Sequence, residues 1–202
     1  FLLLWRFAKK GDGYALRGQL TEDHIEMLER RKVDLIVILD KPLLDQEMID
    51  KIQIPILHID HHQPLIREGK HYHYFNPRVE NDEDNRPTSY WAYKIAEENM
   101  WIATVGIISD WFIPEFLKEF NKEYPGLLPD TIKSPGQALF DEKFGELARI
   151  FSFALKGKRE ERKTCMTALK QVESPFDILE EKTWEGKMLY RHYQKLQKQY
   201  EK

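Results

Sequence analysis

Two apolar runs, DLIVILD at positions 34–40 and IPILHID at 54–60, set the tightest limit on what this chain can fold into. In the first, five successive apolar residues, each β-branched or Leu, stand between two acids. Such a run without polar alternation predicts a strand buried on both faces, as in a parallel sheet. Between the runs, KPLLDQEMIDKI carries Leu44, Met48, Ile49 and Ile52 at helical spacing, with Pro42 placed to start the helix. Strand, short helix and strand make a βαβ unit, whose crossover is expected to be right-handed. In sheets of this type ligands gather beyond the carboxyl ends of the strands. Asp40 closes the first run, and Asp60, His61 and His62 close the second. Both groups are therefore expected on one edge.

The flanking segments read mostly as helices. FLLLWRFAKK predicts a buried helix over 1–10, stopped by Gly11-Asp12-Gly13 and followed by a short strand at Tyr14–Leu16. Its apolar run is broken by Arg6, far short of the ~20 residues of a membrane span. With no capping residue ahead of Phe1, that helix is expected to continue something longer. Thr21 can cap a helix with Glu22 and Asp23 in its first turn and Arg30, Arg31 and Lys32 in its last, an order that suits the helix dipole. Thr88 begins the amphipathic helix TSYWAYKIAEENM, while WIATVGIISD at 101–110 fits helix or strand equally. Pro114, Pro125, Pro129 and Pro135 predict a connector. Phe140, Phe144, Leu147, Phe151 and Leu155 trace one helical face ended by Gly157. A helix with Met166 and Leu169 follows, then a long one from about Pro175 to the end. The plan is an α/β domain to about residue 115 and an all-helical region after it.

The totals narrow the functional classes. At 202 residues the chain can hold one domain with a sizeable core and a smaller appendage. A net charge of −3 gives no global basic field, so nucleic-acid contact would need a local patch. The single cysteine, Cys165, excludes an intramolecular disulfide and a thiolate zinc cage. It points to a reducing compartment, the cytoplasm, and is expected to be buried and inert.

Three groups now stand at the ends of apolar runs: Asp40, Asp60-His61-His62 and Asp110. Carboxylate plus imidazole is a ligand set for Mn²⁺, Fe²⁺ or Zn²⁺. A carboxylate can also bridge two metals ~3.5–4 Å apart, the arrangement that clamps both oxygens in phosphoryl chemistry. The blander alternatives are real. One Asp after a strand is usually a cap or turn former, and a His pair is more often surface or core than ligand. Charge is nevertheless costly at the end of an apolar strand unless paired or solvated, and three such positions weigh toward a site. His58 reads as structural. His71 and His73 share one face of an exposed edge strand. Lys156, Lys158, Arg159, Arg162 and Lys163, diluted by Glu160 and Glu161, read as a solvated helix face rather than a track for a nucleic-acid backbone.

DLIVILD, HIDHH and VGIISD, in this order, resemble successive motifs of the DHH family of phosphoesterases. The segment PTSYWAYKIAEENMWIATVGIISD is similar to the helix pair leading into the last of them. That family includes RecJ-type exonucleases, small oligonucleotide and cyclic-dinucleotide phosphodiesterases, and manganese-dependent pyrophosphatases. The resemblance implies a DHH-type α/β domain with a parallel sheet of βαβ units over 1–115, and a helical connector over 116–202. It implies metal-dependent phosphodiester hydrolysis on single-stranded or short DNA or RNA, with no membrane partner. A cyclic-dinucleotide or pyrophosphate hydrolase, or a non-catalytic scaffold for replication or repair proteins, are the alternatives. Asp40 would bridge two Mn²⁺ ions, or Mg²⁺ in their place, with His61 and Asp110 as ligands. His62 and Asp60 form the implied catalytic pair: His62 contacts the substrate phosphate and Asp60 supports the histidines from behind. Asn76 and Arg78 resemble a segment that follows the histidines in the family, and Arg78 would hold a phosphate. The family's first motif, Asp-x-Asp, is absent and is expected upstream of Phe1. The glycine-rich GGH segment of its C-terminal substrate domain is absent as well.

Overall fold

In the computed structural model, which describes residues 2–4, 11, 13 and 18–200, the acid-bounded runs become adjacent parallel strands. The chain is mixed α/β, with a three-stranded parallel sheet and many helices. The strand expected at Tyr14–Leu16 lies outside the described residues, as does most of the helix expected over 1–10, of which Leu2–Leu4 form a turn. Two units separate by their internal contacts: Asp12–Thr88, and Phe1–Gly11 with Ser89–Lys202.

The first unit holds the sheet. Strands β1 (Ile36–Leu39), β2 (Ile56–Ile59) and β3 (Tyr72–Phe75) lie in that order, all parallel. Helix α1 (Glu22–Arg30) precedes them, and α2 (Gln46–Lys51) joins β1 to β2. Ile36 pairs with Ile56 and Ile56 with Tyr72; one step on, Ile38 pairs with His58 and His58 with Tyr74. These alternate residues share a face. Ile36, Ile38, Ile56, Tyr72 and Tyr74 pack on that face with Leu20, Ile25, Leu44, Ile49 and Ile52. Each buried isoleucine here stabilises the unit by ~1.5–3 kcal/mol. The expectation that DLIVILD is buried on both faces is corrected: Val37 is 42% exposed and Leu35 51%. Among the described residues β1 is an edge strand, so its outer side lacks the neighbour that would cover it. Central β2 is the more enclosed, with Ile56 and Ile59 each 1% exposed and Leu57 partly buried.

The second unit is helical among its described residues. Helices α3 (Thr88–Ala96), which begins at the unit boundary, and α4 (Met100–Ser109) are separated by Glu97 and Asn99, both in the left-handed region at φ 52° and 57°. WIATVGIISD is helix, not strand. Trp101, Val105 and Ile108 join one core cluster, while Ala103 and Ile107 join another with Tyr90 and Ala92 of α3. A helix enclosed on both sides needs no polar stripe, which is why its periodicity was silent. The proline-rich stretch is not a bare connector. It contains α5 (Leu117–Glu123), whose Leu117 and Phe120 are buried, and Pro135 is the first residue of α6 (Pro135–Phe140) behind the Ser134 cap. Pro114 and Pro125 bracket α5 rather than break it.

The face expected over 140–155 is also divided. Helix α6 ends at Phe140, which is 74% exposed, and α7 (Phe144–Ala154) buries Phe144, Leu147, Ile150 and Ala154 instead. Helix α8 (Arg159–Leu169) follows, and the long final helix is two: α9 (Pro175–Leu179) and α10 (Trp184–Tyr200). Ser174 caps α9 through Phe176 N–H, and Thr183 caps α10 through Gly186 N–H. Cys165 is 1% exposed, and burial pushes its thiol up to about 11. Among the described residues no helix is long and apolar enough to cross a membrane.

Candidate metal centre

The register of the sheet sets the candidate site. The residue beyond β1 is Asp40, whose N–H donates to Ile59 O at 2.9 Å; beyond β2 it is Asp60, whose N–H donates to Phe75 O at 3.0 Å. Beyond β3 it is Asn76. Pairing one step past the strand ends thus places Asp40, Asp60 and Asn76 in a row along the carboxyl edge. His61 and His62 rise from the turn after Asp60.

Four of the residues singled out in the sequence are brought together there. Asp40, His61 and His62 each offer a ligand atom, and these atoms lie within 4.8 Å of one another. His61 Nε2 is 3.3 Å from Asp40 Oδ1. Asp60 is 0% exposed and sits behind His62, taking its backbone N–H on Oδ2 at 3.2 Å and contacting its Nδ1 through Oδ1 at 2.8 Å. A carboxylate accepts, so this contact places a proton on His62 Nδ1 and leaves Nε2 as the nitrogen available to a ligand. The Asp40 carboxyl is held below its ordinary value, first by the hydrogen bond with His61, then by the charges of His61 and His62 and the Thr88 hydroxyl, against an opposing effect of burial. It is ionised at neutral pH, the form that holds a cation.

One carboxylate oxygen and two imidazole nitrogens at this separation fit one divalent ion of the transition series. A carboxylate behind a ligating histidine is the usual outer support of such sites. A second cation would need further carboxylates beyond this cluster.

Asp110 belongs to the helical unit. It closes α4, its N–H donating to Gly106 O at 3.2 Å and Ile107 O at 3.3 Å. Arg78 is engaged locally: its Nε donates to Asp82 O and its Nη2 to Asp82 Oδ1, each at 3.0 Å. Holding a phosphate would require that pair to open. In the basic cluster, Arg162 donates to Gly157 O, and Lys156 lies 4.3 Å over the Phe153 ring. Glu161, pulled down to about 2 by its bond with Lys195, offsets the positive charge.

Three further residues contribute: Thr88 and His58, which the sequence did not mark as part of the site, and Asn76, to which the resemblance gave a place but no role. Thr88, at the start of α3, donates its hydroxyl to Asp40 Oδ1 at 3.3 Å. Buried Asn76 donates its amide to the His62 carbonyl at 2.9 Å and to Tyr74 Oη at 2.8 Å. His58 is 3% exposed, with Nε2 2.9 Å from Lys41 O and Nδ1 2.6 Å from Tyr72 Oη. The strand alternation Ile56, His58, Asp60 could have placed His58 beneath the site. Nothing in spacing links Thr88 to Asp40, 48 positions away.

No family model matches the chain, and no curated protein matches it.

Proposed function

We propose that the chain is a metal-dependent phosphoesterase acting on single-stranded or short nucleic acid, with Mn²⁺ as the preferred ion. The observation that carries this reading is the convergence of Asp40, His61 and His62 within 4.8 Å at the carboxyl edge of a parallel sheet. The order of the three DHH-like motifs supports the substrate class.

The residues would divide the work as follows. Asp40, held ionised, and His61 bind the cation. The cation supplies charge that lowers the pKa of the attacking water and neutralises the phosphate. His62 presents Nε2 away from Asp60, so it can donate to a phosphate oxygen when protonated or join the ligand set when neutral. Asp60, fully buried, fixes the orientation and tautomer of His62 and does not itself reach substrate. Asp110, whose ligand role rests on the resemblance alone, is tested in the same series.

The test follows end-labelled single-stranded DNA and RNA oligonucleotides with Mn²⁺, with Asp40→Ala and Asp110→Ala beside the parent chain. Mn²⁺-dependent shortening that disappears in Asp40→Ala is the expected result. Shortening that persists in Asp40→Ala, or needs no metal, overturns the mechanism. Cleavage of a cyclic dinucleotide or pyrophosphate with both polymers intact would overturn the substrate class and keep the metal site.

A further inference from the structure

We propose that His58 is a positioning residue for Asp40, a buried strap that fixes the turn carrying this ligand. Its functional meaning rests on the metal-centre reading above.

The turn needs holding. Asp40 keeps its N–H on Ile59 O, and the backbone then enters the left-handed region at φ 57°. That conformation is disfavoured for a residue with a side chain and persists where the surroundings enforce it. The next carbonyl, that of Lys41, lies 2.9 Å from His58 Nε2. From the far side, Lys41 Nζ donates to Gly18 O at 2.6 Å. The turn is thereby tied at both its carbonyl and its side chain.

The partners of His58 dictate its protonation. A carbonyl only accepts, so Nε2 carries the proton and donates to Lys41 O. In a neutral ring Nδ1 then accepts, and its partner at 2.6 Å, the Tyr72 hydroxyl, supplies the proton. Burial holds the His58 ring below its ordinary value, and burial pushes the Tyr72 hydroxyl up to about 12. Both groups therefore keep the forms this relay requires. It runs from Tyr72 on β3 through His58 on β2 to the residue after Asp40, crossing the whole described sheet. At 3% exposure His58 cannot touch a substrate, so any effect on the site passes through the Asp40 turn. Without it the Lys41 carbonyl loses its partner, and Asp40 is free to relax away from His61.

The test uses His58→Leu, which removes both bonds at similar volume, and His58→Gln, whose amide can donate from the place of Nε2. Ile49→Ala serves as a destabilised control, because Ile49 is buried in the sheet's apolar cluster and its aliphatic side chain makes none of the strap's hydrogen bonds. Mn²⁺ affinity is measured by titration calorimetry, and hydrogen exchange of the Asp40 amide by NMR. Expected for His58→Leu is a loss of about tenfold or more in Mn²⁺ affinity with about tenfold faster exchange, both largely restored in His58→Gln. Ile49→Ala should lose stability yet keep the affinity. Parent-like affinity and exchange in His58→Leu would overturn the proposal, as would an equal loss of affinity in Ile49→Ala. If the parent chain itself binds no Mn²⁺, the metal-centre reading fails, and the exchange rates alone decide whether the strap exists. Should His58→Leu not fold, Tyr72→Phe is judged by the same two readouts. It releases Nδ1 to take the proton, and a smaller loss of the same sign is expected.

Discussion

Replacing Asp60 by asparagine exchanges one buried carboxylate oxygen for an amide nitrogen and leaves volume and shape alone. The two oxygens of Asp60 meet two donors of His62, the backbone N–H at 3.2 Å and Nδ1 at 2.8 Å. Asparagine has one oxygen to offer, so its NH₂ group faces one of these donors whichever way it is turned. Losing a charge-assisted bond costs ~1.5–3 kcal/mol, and a stranded buried donor costs ~1–3 kcal/mol. Some of this is offset because a fully buried charge is also removed. The expected destabilisation is about 2–4 kcal/mol, a large part of the ~5–15 kcal/mol typical of a domain. Urea unfolding followed by circular dichroism should show it as a lower midpoint at unchanged slope. In the same variant the His62 tautomer is no longer fixed, and Mn²⁺ affinity should fall by ~10–100-fold, the usual cost of removing an outer-shell partner. Stability within ~0.5 kcal/mol of the parent, the scatter of neutral surface changes, together with unchanged affinity would refute the reasoning. Asp60 would then be a passive end to β2.

The buried histidine gives a pH dependence with a definite sign. Because burial lowers the folded-state pKa of His58 from 6.5, the unfolded chain takes up the proton first as pH falls. Its contribution to stability is complete above about pH 6.5 and is lost as pH drops through the depressed folded value. Urea midpoints between pH 7.5 and 5 should therefore fall less steeply in His58→Gln than in the parent. Gly186→Ala should destabilise by at least ~1–3 kcal/mol through overpacking, because its Cβ would lie 1.9 Å from Asp177 O, where α10 crosses α9. Gly18→Ala, which meets nothing within 4 Å, should leave the thermal midpoint within a degree or so on the surface-substitution scale; equal midpoints for the two variants would count against the packing.

What could be read in the sequence was whatever depended on neighbours in the chain. The two apolar runs carry their own length and β-branching, and an acid at the end of each is enough to put Asp40 and Asp60 on one edge once the strands are parallel. His61 and His62 follow because they are consecutive with Asp60. The readings that failed depended on what lies alongside. DLIVILD looks fully buried because its composition is, but exposure at Val37 reflects its position at the sheet edge. Phe140 keeps helical spacing with Phe144, yet the break at residues 141–143 rotates it into solvent. Prolines 114 and 125 suggest a loop because each stops a helix, and the sequence does not show that a short helix fits between them. The bonds from Thr88 to Asp40, from Asn76 to His62 and from His58 to Lys41 and Tyr72 were invisible for the same reason: each of these joins residues at least 14 positions apart.

One face of the sheet changes character along the strands in three layers. The first, Ile36, Ile56 and Tyr72, is largely apolar and packs on α1 and α2. The second, Ile38, His58 and Tyr74, is mixed, and the third, Asp40, Asp60 and Asn76, is wholly polar. The same strands thus serve stability at one end and orientation at the other. Buried polar groups in the upper layers are tolerated because each is bonded: Asp60 to His62, His58 to Lys41 and Tyr72, Asn76 to His62 and Tyr74. Substitutions of the isoleucines in the first layer should therefore lower stability and spare ligand affinity. Those in the third should act on affinity, and at fully buried Asp60 on stability as well. His58 sits between the two and ought to affect both, which is why a stability-matched control is needed to separate its strap from its packing.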